Sequence, residues 1–198
     1  MNVEAKLELD EKIGNLFSLL SQIHDGGINT SQVSETLSKL ESEMGQIPAF
    51  LRALLVTDGT VTMALEAYFA EPISINTLRQ GRMSAPCSLP ALEVSKNEDC
   101  FFREVELKGA KSGLCYGHAS SILNKNAIDA DLFEQLVSED VGIGVILRNL
   151  ARGSYREVLA LGAGNVMAKS DLRRTYSVSI NALPAILITE EFQRAVFL

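Results

Sequence analysis

The stretch FFREVELKGAKSGLCYGHASSI, residues 101–122, decides the fold. Phe101–Leu107 and Leu114–Ile122 favour β-strands, and the segment between them, Lys108–Gly113, contains two glycines and is typical of a hairpin turn. A short turn can join antiparallel strands, whereas parallel strands need a long crossover connection. This stretch therefore predicts a sheet built on antiparallel pairing.

The rest of the chain supplies more strands and several helices. Four further stretches favour strands: Ile73–Arg79, Tyr155–Leu161, Tyr176–Ile180 and Ala185–Thr189. Apolar residues that recur every three or four positions predict helices at 13–23, 33–44, 50–55, 63–68, 132–137 and 145–150. Because the strand connections are mostly short, the sequence predicts a single α+β domain with an antiparallel sheet.

The helix ends carry recognisable signals. Asn29 with Gln32 resembles a capping box before the second helix, and Thr60 and Asp129 are predicted caps of later ones. The first two helices are predicted to form an added hairpin, residues 1–47, on a main body of residues 48–198.

Charge is unevenly distributed. The chain has 18 basic and 25 acidic residues, a formal net charge of −7. Residues 1–51 hold eight acids and three lysines, while residues 52–198 hold the other 17 acids, 15 bases and all ten arginines. This balance argues against non-specific nucleic-acid binding and docking on anionic lipid. Arginine fits carboxylates bidentately, so the arginine-rich body favours a small anionic ligand in a specific pocket.

Several familiar classes are not expected. No apolar run is long enough to span a membrane, and the start lacks the pattern of a signal peptide. Three widely spaced cysteines suit free thiols in a reducing, cytoplasmic compartment. With two histidines, a zinc site of several His and Cys ligands is not expected. Cys115 and His118 stand three apart in a predicted strand, which places them on opposite faces and argues against a nucleophile pair.

Two charged residues beside apolar strands point to a ligand site. Arg103 follows two phenylalanines, and Glu190 follows the apolar strand Ala185–Thr189. A charge in such surroundings costs free energy unless it is paired or bound. Facing one cavity, Arg103 and Glu190 would hold a molecule with a carboxylate at one end and a hydroxyl at the other. A structural Arg–Glu pair is the alternative.

Six segments together resemble the chorismate lyases (chorismate–pyruvate lyases), over about residues 50–198. They are LRALLVTDGTVT (51–62), LRQG (78–81), FREV (102–105), GIG (142–144), RRTYSV (173–178) and PAILITEEF (184–192). The resemblance implies a six-stranded antiparallel sheet with helices on one side and a ligand buried under flaps. It also implies release of pyruvate from chorismate without a metal or cofactor, leaving 4-hydroxybenzoate for quinone or phenolic-lipid synthesis.

The resemblance implies the following site roles. Arg103 would bind the ligand carboxylate, Glu190 the hydroxyl of the product, and the backbone of Ile143 or Gly144 would contribute a further contact. Thr62 lies in the flap-like helix start, and Arg79 matches a second basic position near the site. Arg103 and Glu190 are the expected catalytic residues.

Two other readings stay open from the sequence. The same fold resembles the effector domains of a family of bacterial transcription regulators, so a non-enzymatic binder of a small aromatic acid is one of them. The acidic, arginine-free first 50 residues speak against a DNA-binding winged helix ahead of such a domain. The other is a lyase acting on a related substrate. The oligomeric state is not predicted.

Overall fold

A computed structural model describes residues 3–24, 26–138, 142–149, 153–164, 166–167 and 170–198. The described chain forms one six-stranded sheet in the order β1-β2-β3-β6-β5-β4, and every neighbouring pair is antiparallel. The strands are β1 (Ile73–Ser84), β2 (Asp99–Gly109), β3 (Cys115–Leu123), β4 (Ser154–Ala163), β5 (Leu172–Ile180) and β6 (Leu183–Phe192). The predicted α+β class and antiparallel sheet are confirmed.

The hairpin that decides the fold forms as predicted. Its turn is closed by the Gly113 amide, which donates to the Gly109 carbonyl at 2.9 Å, and Gly113 has a φ of 69° that favours glycine. Glu71, just before β1, accepts hydrogen bonds from the amides of Lys111 and Ser112 at 2.8 and 3.0 Å. The hydrogen bond from the Tyr116 hydroxyl, and secondly those from Ser112 and Lys111, lower the pKa of Glu71 to about 2.

The strands run further than the sequence pattern indicates. β1 continues beyond its predicted end at Arg79 to Ser84, and β6 continues beyond Thr189 to Phe192. Glu190 therefore lies inside a strand rather than after one. One β-bulge interrupts β1 between Thr77 and Arg79. Another interrupts β3 at the point where it pairs with Leu107 and Lys108 of β2.

The helices mostly cover one face of the sheet. The helices are α1 (Val3–Leu20), α2 (Thr30–Met44), α3 (Ala49–Val56), α4 (Val61–Phe69), α5 (Ala130–Ser138) and α6 (Ile143–Asn149). Apolar side chains of α2 to α6 share one core cluster with the sheet residues Phe101, Val105 and Ile188. This confirms the predicted layer of helices on one side. The predicted end of the last helix, Leu150, lies outside the described residues.

Caps agree with the sequence in two of three cases. The capping box of Asn29 and Gln32 is present, and Asp129 Oδ1 accepts from the Leu132 amide at 2.9 Å. Thr60 occupies the N-cap position of α4, but its side chain makes no capping hydrogen bond. The Thr60 hydroxyl is thus not committed to its own helix.

The opposite face of the sheet is covered by α1 and the segment 85–94. Leu16, Phe17 and Leu20 of α1 are fully or almost fully buried and share a second cluster with Phe102 and other residues of that face. Between α1 and α2 the chain crosses the β4 edge, where the Ile28 amide donates to the Val158 carbonyl at 2.9 Å. This contact covers part of an edge strand that would otherwise expose backbone groups.

Candidate active site

A pocket opens between the helix-covered face of the sheet and the segments that precede α4 and α6. Counted to its open mouth, the empty space between its lining residues is about 540 Å³. Its charged and polar lining residues include Arg103, Ser121, Arg156, Tyr176 and Glu190; the rest of the lining is mainly apolar residues, glycines and threonines.

The register of the strands brings Arg103 and Glu190 together. Arg103 on β2 pairs with Ser121 on β3, and Ser121 pairs with Ile188 on β6. Glu190 is two residues beyond Ile188, so it points to the same face one row further along. The predicted juxtaposition of Arg103 and Glu190 in one cavity is therefore what the structure shows.

Arg103 is held rigidly although it is a long side chain. It is only 2% exposed. One terminal nitrogen donates to the Leu136 carbonyl in the last turn of α5 at 2.9 Å, and the other lies 3.3 Å from Thr77 Oγ1. These bonds fix the guanidinium, a group that can bind a carboxylate, at the pocket wall.

Glu190 has partners that the sequence did not reveal. It is 4% exposed, and its Oε2 accepts from Arg174 Nε at 2.7 Å. Its Oε1 accepts from the Tyr176 hydroxyl at 3.1 Å. The partner in the ion pair is thus Arg174, not Arg103, and each Glu190 oxygen keeps a lone pair that a ligand hydroxyl can use.

Arg174 and Tyr176 support Glu190 from β5. Arg174 Nη1 also donates to the carbonyls of Leu54 and Thr57, each at 2.7 Å, which ties the end of α3 to the sheet. The Arg174 guanidinium lies 4.8 Å from the centroid of the Tyr176 ring. Burial, and secondly the negative charge of Glu190, raise the pKa of Tyr176, so its hydroxyl remains a donor at neutral pH.

Three of the residues implied by the resemblance also line the pocket. Thr62, Ile143 and Gly144 belong to the two segments that close over the sheet. A Cβ on Gly144 would lie 3.1 Å from Thr60 Cγ2, so these segments are in close contact.

Arg79 does not reach the pocket, which corrects the expected placement. The bulge after Thr77 pairs Arg79 with Glu104, whose side chain points to the opposite face, instead of with Arg103. Arg79 Nε lies 2.5 Å from Glu104 Oε2, and the guanidinium lies 5.7 Å from the Phe102 ring centroid. Burial raises the pKa of Glu104 in spite of this ion pair.

Sequence reasoning missed three residues of this site: Arg156, Arg174 and Tyr176. Arg174 and Tyr176 lie inside the segment RRTYSV. Alternation in a strand places both side chains on one face, and the pairing of β5 with β6 sets Arg174 directly across from Glu190 on that face. Arg156 follows Tyr155 at the start of a strand, and nothing in its neighbourhood distinguishes it from an exposed arginine.

Three residues with metal-ligating side chains lie together on the other face of the sheet. Ligand atoms of Glu106, Cys115 and His118 lie within 4.8 Å of one another. The expectation that Cys115 and His118 point apart is wrong because the bulge in β3 pairs Cys115 with Lys108 and His118 with Glu106, residues of one face. Burial raises the pKa of Cys115 and lowers that of His118, which does not favour an activated thiolate–imidazolium pair.

Comparisons with known proteins agree on the family and the fold. The family model described as Rv2949c-like chorismate pyruvate-lyase matches residues 55–195. A chorismate pyruvate-lyase of Mycobacterium leprae (strain TN) is 26% identical over 175 residues, covering 83% of this chain and 82% of that protein.

Solved structures show similarity of fold alone. The effector domain of PhnF from Mycobacterium smegmatis aligns with a TM-score of 0.50 at 10% identity, over 70% of this chain and 90% of that one. The structure of PhnF from the same organism aligns with a TM-score of 0.51 at 10% identity, over 68% and 64%. In the described part of the chain, no helix combines the length and apolarity that crossing a bilayer requires.

Proposed function

We propose, since the chain belongs to the family of Rv2949c-like chorismate pyruvate-lyases, that it converts chorismate to 4-hydroxybenzoate and pyruvate. Arg103 and Glu190, buried on one face of the sheet and lining one pocket, are the observation that carries this proposal. The product has a carboxylate and a hydroxyl at opposite ends of a ring. Arg103 binds the first group and Glu190 the second.

The reaction is an elimination that makes the ring aromatic. The C4–H bond breaks and its electron pair forms the C3–C4 double bond, while the C3–O bond breaks and its pair leaves on the enolpyruvyl oxygen. The released enolpyruvate takes up a proton at its methylene carbon and becomes pyruvate. Because aromatisation drives the reaction, the protein mainly holds the reactive conformer and stabilises the departing charge. No redox cofactor is needed, since no net electrons are exchanged.

Glu190 orients the C4 hydroxyl by accepting its hydrogen bond. Tyr176 and Arg174 hold the two carboxylate oxygens at 3.1 and 2.7 Å, so the free lone pairs point in fixed directions. The C4 proton passes either to Glu190 or to the side-chain carboxylate of the substrate. The variant Glu190→Gln distinguishes these routes, because it keeps an oxygen acceptor and removes the base.

The segments at Thr62 and at Ile143–Gly144 close the pocket. They line it from the side opposite the sheet, and a backbone group of Ile143 or Gly144 is proposed to contact the ligand. Closure excludes water, which strengthens the charge interactions with Arg103.

The test is direct. Purified protein is mixed with chorismate, pyruvate is followed through lactate dehydrogenase, and 4-hydroxybenzoate by chromatography. We expect equal amounts of both products, and a decrease of at least about 100-fold in kcat/KM for Arg103→Ala and Glu190→Ala. Arg82→Ala, an exposed arginine on β1, is the matched control.

Two outcomes would overturn the proposal. Tight binding of 4-hydroxybenzoate by folded protein with no turnover of chorismate would assign it to the non-enzymatic binders instead. Near-wild-type activity of both variants would refute the site. A cytoplasmic location is also proposed, because Cys87, Cys100 and Cys115 are free thiols in the structure.

A further inference from the structure

Arg156 is a charged residue of the pocket to which neither the family resemblance nor the other sequence-based predictions assign a role. It lies on β4 and lines the pocket together with Tyr176 and Glu190. Its Nη2 is buried and has no hydrogen-bond partner among the residues that the structure describes. A Cβ on Gly144 would lie 3.6 Å from this nitrogen, which places the nitrogen against the segment that closes the pocket.

A buried guanidinium nitrogen without an acceptor is unusual. Buried donors in native proteins are almost always paired, and a charged donor left alone carries a large desolvation cost. Terminal nitrogens of Arg103 and Arg174 donate to backbone carbonyls at 2.7 to 2.9 Å. An anion that enters the pocket would supply the acceptor that Arg156 lacks.

The position of Arg156 in the sheet indicates what kind of anion would bind it. From β2 to β4 the strand order is β2-β3-β6-β5-β4, four strand spacings or about 19 Å across the sheet. Arg103 and Arg156 therefore enter the pocket from its two ends, with Glu190 on β6 and Tyr176 on β5 between them. Across the pocket, from β2 to β4, the groups therefore follow the order guanidinium (Arg103), carboxylate and phenol (Glu190 and Tyr176), guanidinium (Arg156).

This order matches the substrate of the proposed reaction, on which the inference rests. In chorismate the ring carboxylate at C1 is opposite the C4 hydroxyl, and the enolpyruvyl ether is on C3, next to that hydroxyl. With C1 towards Arg103 and the hydroxyl at Glu190, the side chain extends beyond Glu190 towards β4. We infer that Arg156 binds the enolpyruvyl carboxylate and so forms a second anion subsite for the dianionic substrate.

The subsite has a consequence for catalysis and release. Negative charge develops on the departing enolpyruvyl oxygen, close to the carboxylate that Arg156 holds, so this contact strengthens as the C3–O bond breaks. 4-Hydroxybenzoate has no second carboxylate and does not engage Arg156. The subsite thus discriminates substrate from product.

An equilibrium binding experiment tests the subsite without depending on turnover. The probes are 4-hydroxybenzoate, a monocarboxylate, and 3-(carboxymethoxy)-4-hydroxybenzoate, a stable dicarboxylate with its second carboxylate on an ether next to the hydroxyl. Affinities are measured by calorimetry for wild type, Arg156→Met, Arg156→Lys and the control Arg82→Met. Circular dichroism shows which variants are folded.

We expect Arg156→Met to weaken the dicarboxylate by about 30-fold or more, which corresponds to about 2 kcal/mol, and the monocarboxylate by less than about threefold. Arg156→Lys retains the charge and should lie between, and it remains informative if Arg156→Met does not fold. Equal losses for both ligands, or no loss for either, would overturn the subsite. A selective loss in a protein that does not turn over chorismate would retain the subsite and reject the lyase. Wild type that binds neither ligand would reject both.

Discussion

The ion pair of Arg174 and Glu190 makes a strong prediction about stability. Arg174 is 1% exposed and donates to Glu190 and to the carbonyls of Leu54 and Thr57, all at 2.7 Å. Arg174→Met keeps much of the apolar volume and removes these donors. It leaves the Glu190 carboxylate buried with only the Tyr176 hydroxyl as a hydrogen-bond partner among the residues described.

The cost follows from the burial of Glu190. Breaking a buried ion pair by removing one partner costs about 3–5 kcal/mol, because the other charge stays uncompensated. The two carbonyls lose charged donors as well, although water can reach them if α3 shifts. We therefore expect Arg174→Met to lower the free energy of unfolding by at least about 3 kcal/mol, a large part of the about 5–15 kcal/mol typical of a domain.

A second substitution separates the charge from the packing. In the Arg174→Met background, Glu190→Gln removes the uncompensated charge, and it should recover about 2 kcal/mol while activity remains lost. Urea unfolding followed by circular dichroism gives all four corners of the cycle, with Arg82→Met as the control for loss of an arginine. A cost below about 1 kcal/mol for Arg174→Met, or costs of the two substitutions that simply add, would refute this reasoning.

Three further predictions concern other parts of the molecule. Gly144→Ala should lower kcat/KM in the pyruvate assay, because the new Cβ would lie 3.1 Å from Thr60 Cγ2, whereas Gly81→Ala, with open space around it, should not. Because the pKa of Glu104 is raised in the folded state, its protonated form stabilises the folded protein at low pH, and this stabilisation is lost as the pH rises above about 4.5. Glu104→Gln should therefore flatten the pH dependence of the urea midpoint in that range, and an unchanged profile would contradict this. Phe17→Ala should lower stability by about 3–5 kcal/mol without changing kcat, since Phe17 is fully buried on the face away from the pocket, and a loss of kcat in folded protein would contradict that separation.

The strands were predictable because each carries a local signal. Glycine turns and alternation identify the hairpin, and the capping box of Asn29 and Gln32 marks the start of α2. Extensions such as β1 beyond Gly81 were missed because a glycine indicates a break locally, while pairing with β2 keeps the chain extended to Ser84. Tertiary pairing, which the local sequence does not report, sets the ends of these strands.

The site was predictable only as far as each strand stays regular. Arg103 and Glu190 keep the face that alternation assigns to them. Arg79 and Cys115 do not, because each follows or precedes a one-residue bulge that exchanges the two faces of its strand. A bulge depends on the register between two strands, so no periodicity within one strand predicts it. The same reasoning explains why Cys115 and His118 share a face although alternation predicts opposite faces.

The N-terminal helices are best understood as an extension that completes the body. The family model begins at residue 55, yet Leu16 and Phe17 fill the second cluster and Leu37 and Leu40 enter the first. We propose that residues 1–47 are an addition to a body of residues 48–198, and that this addition covers a sheet face and an edge. Apolar periodicity predicts such helices but not the surface they bury.

The net charge of −7 is compatible with the proposed dianionic substrate because charge acts locally. Of that total, residues 1–51 contribute eight acids against three lysines, a net −5. At physiological ionic strength, exposed charges are screened beyond about 8 Å, so most of the acidic surface does not act on a ligand inside the pocket. There Arg103 and Arg156 line the walls, and the lining acid, Glu190, is offset by Arg174 behind it. Charge interactions inside a pocket are less screened than those on the surface, so in the proposed function one pair of arginines outweighs the total charge of the chain.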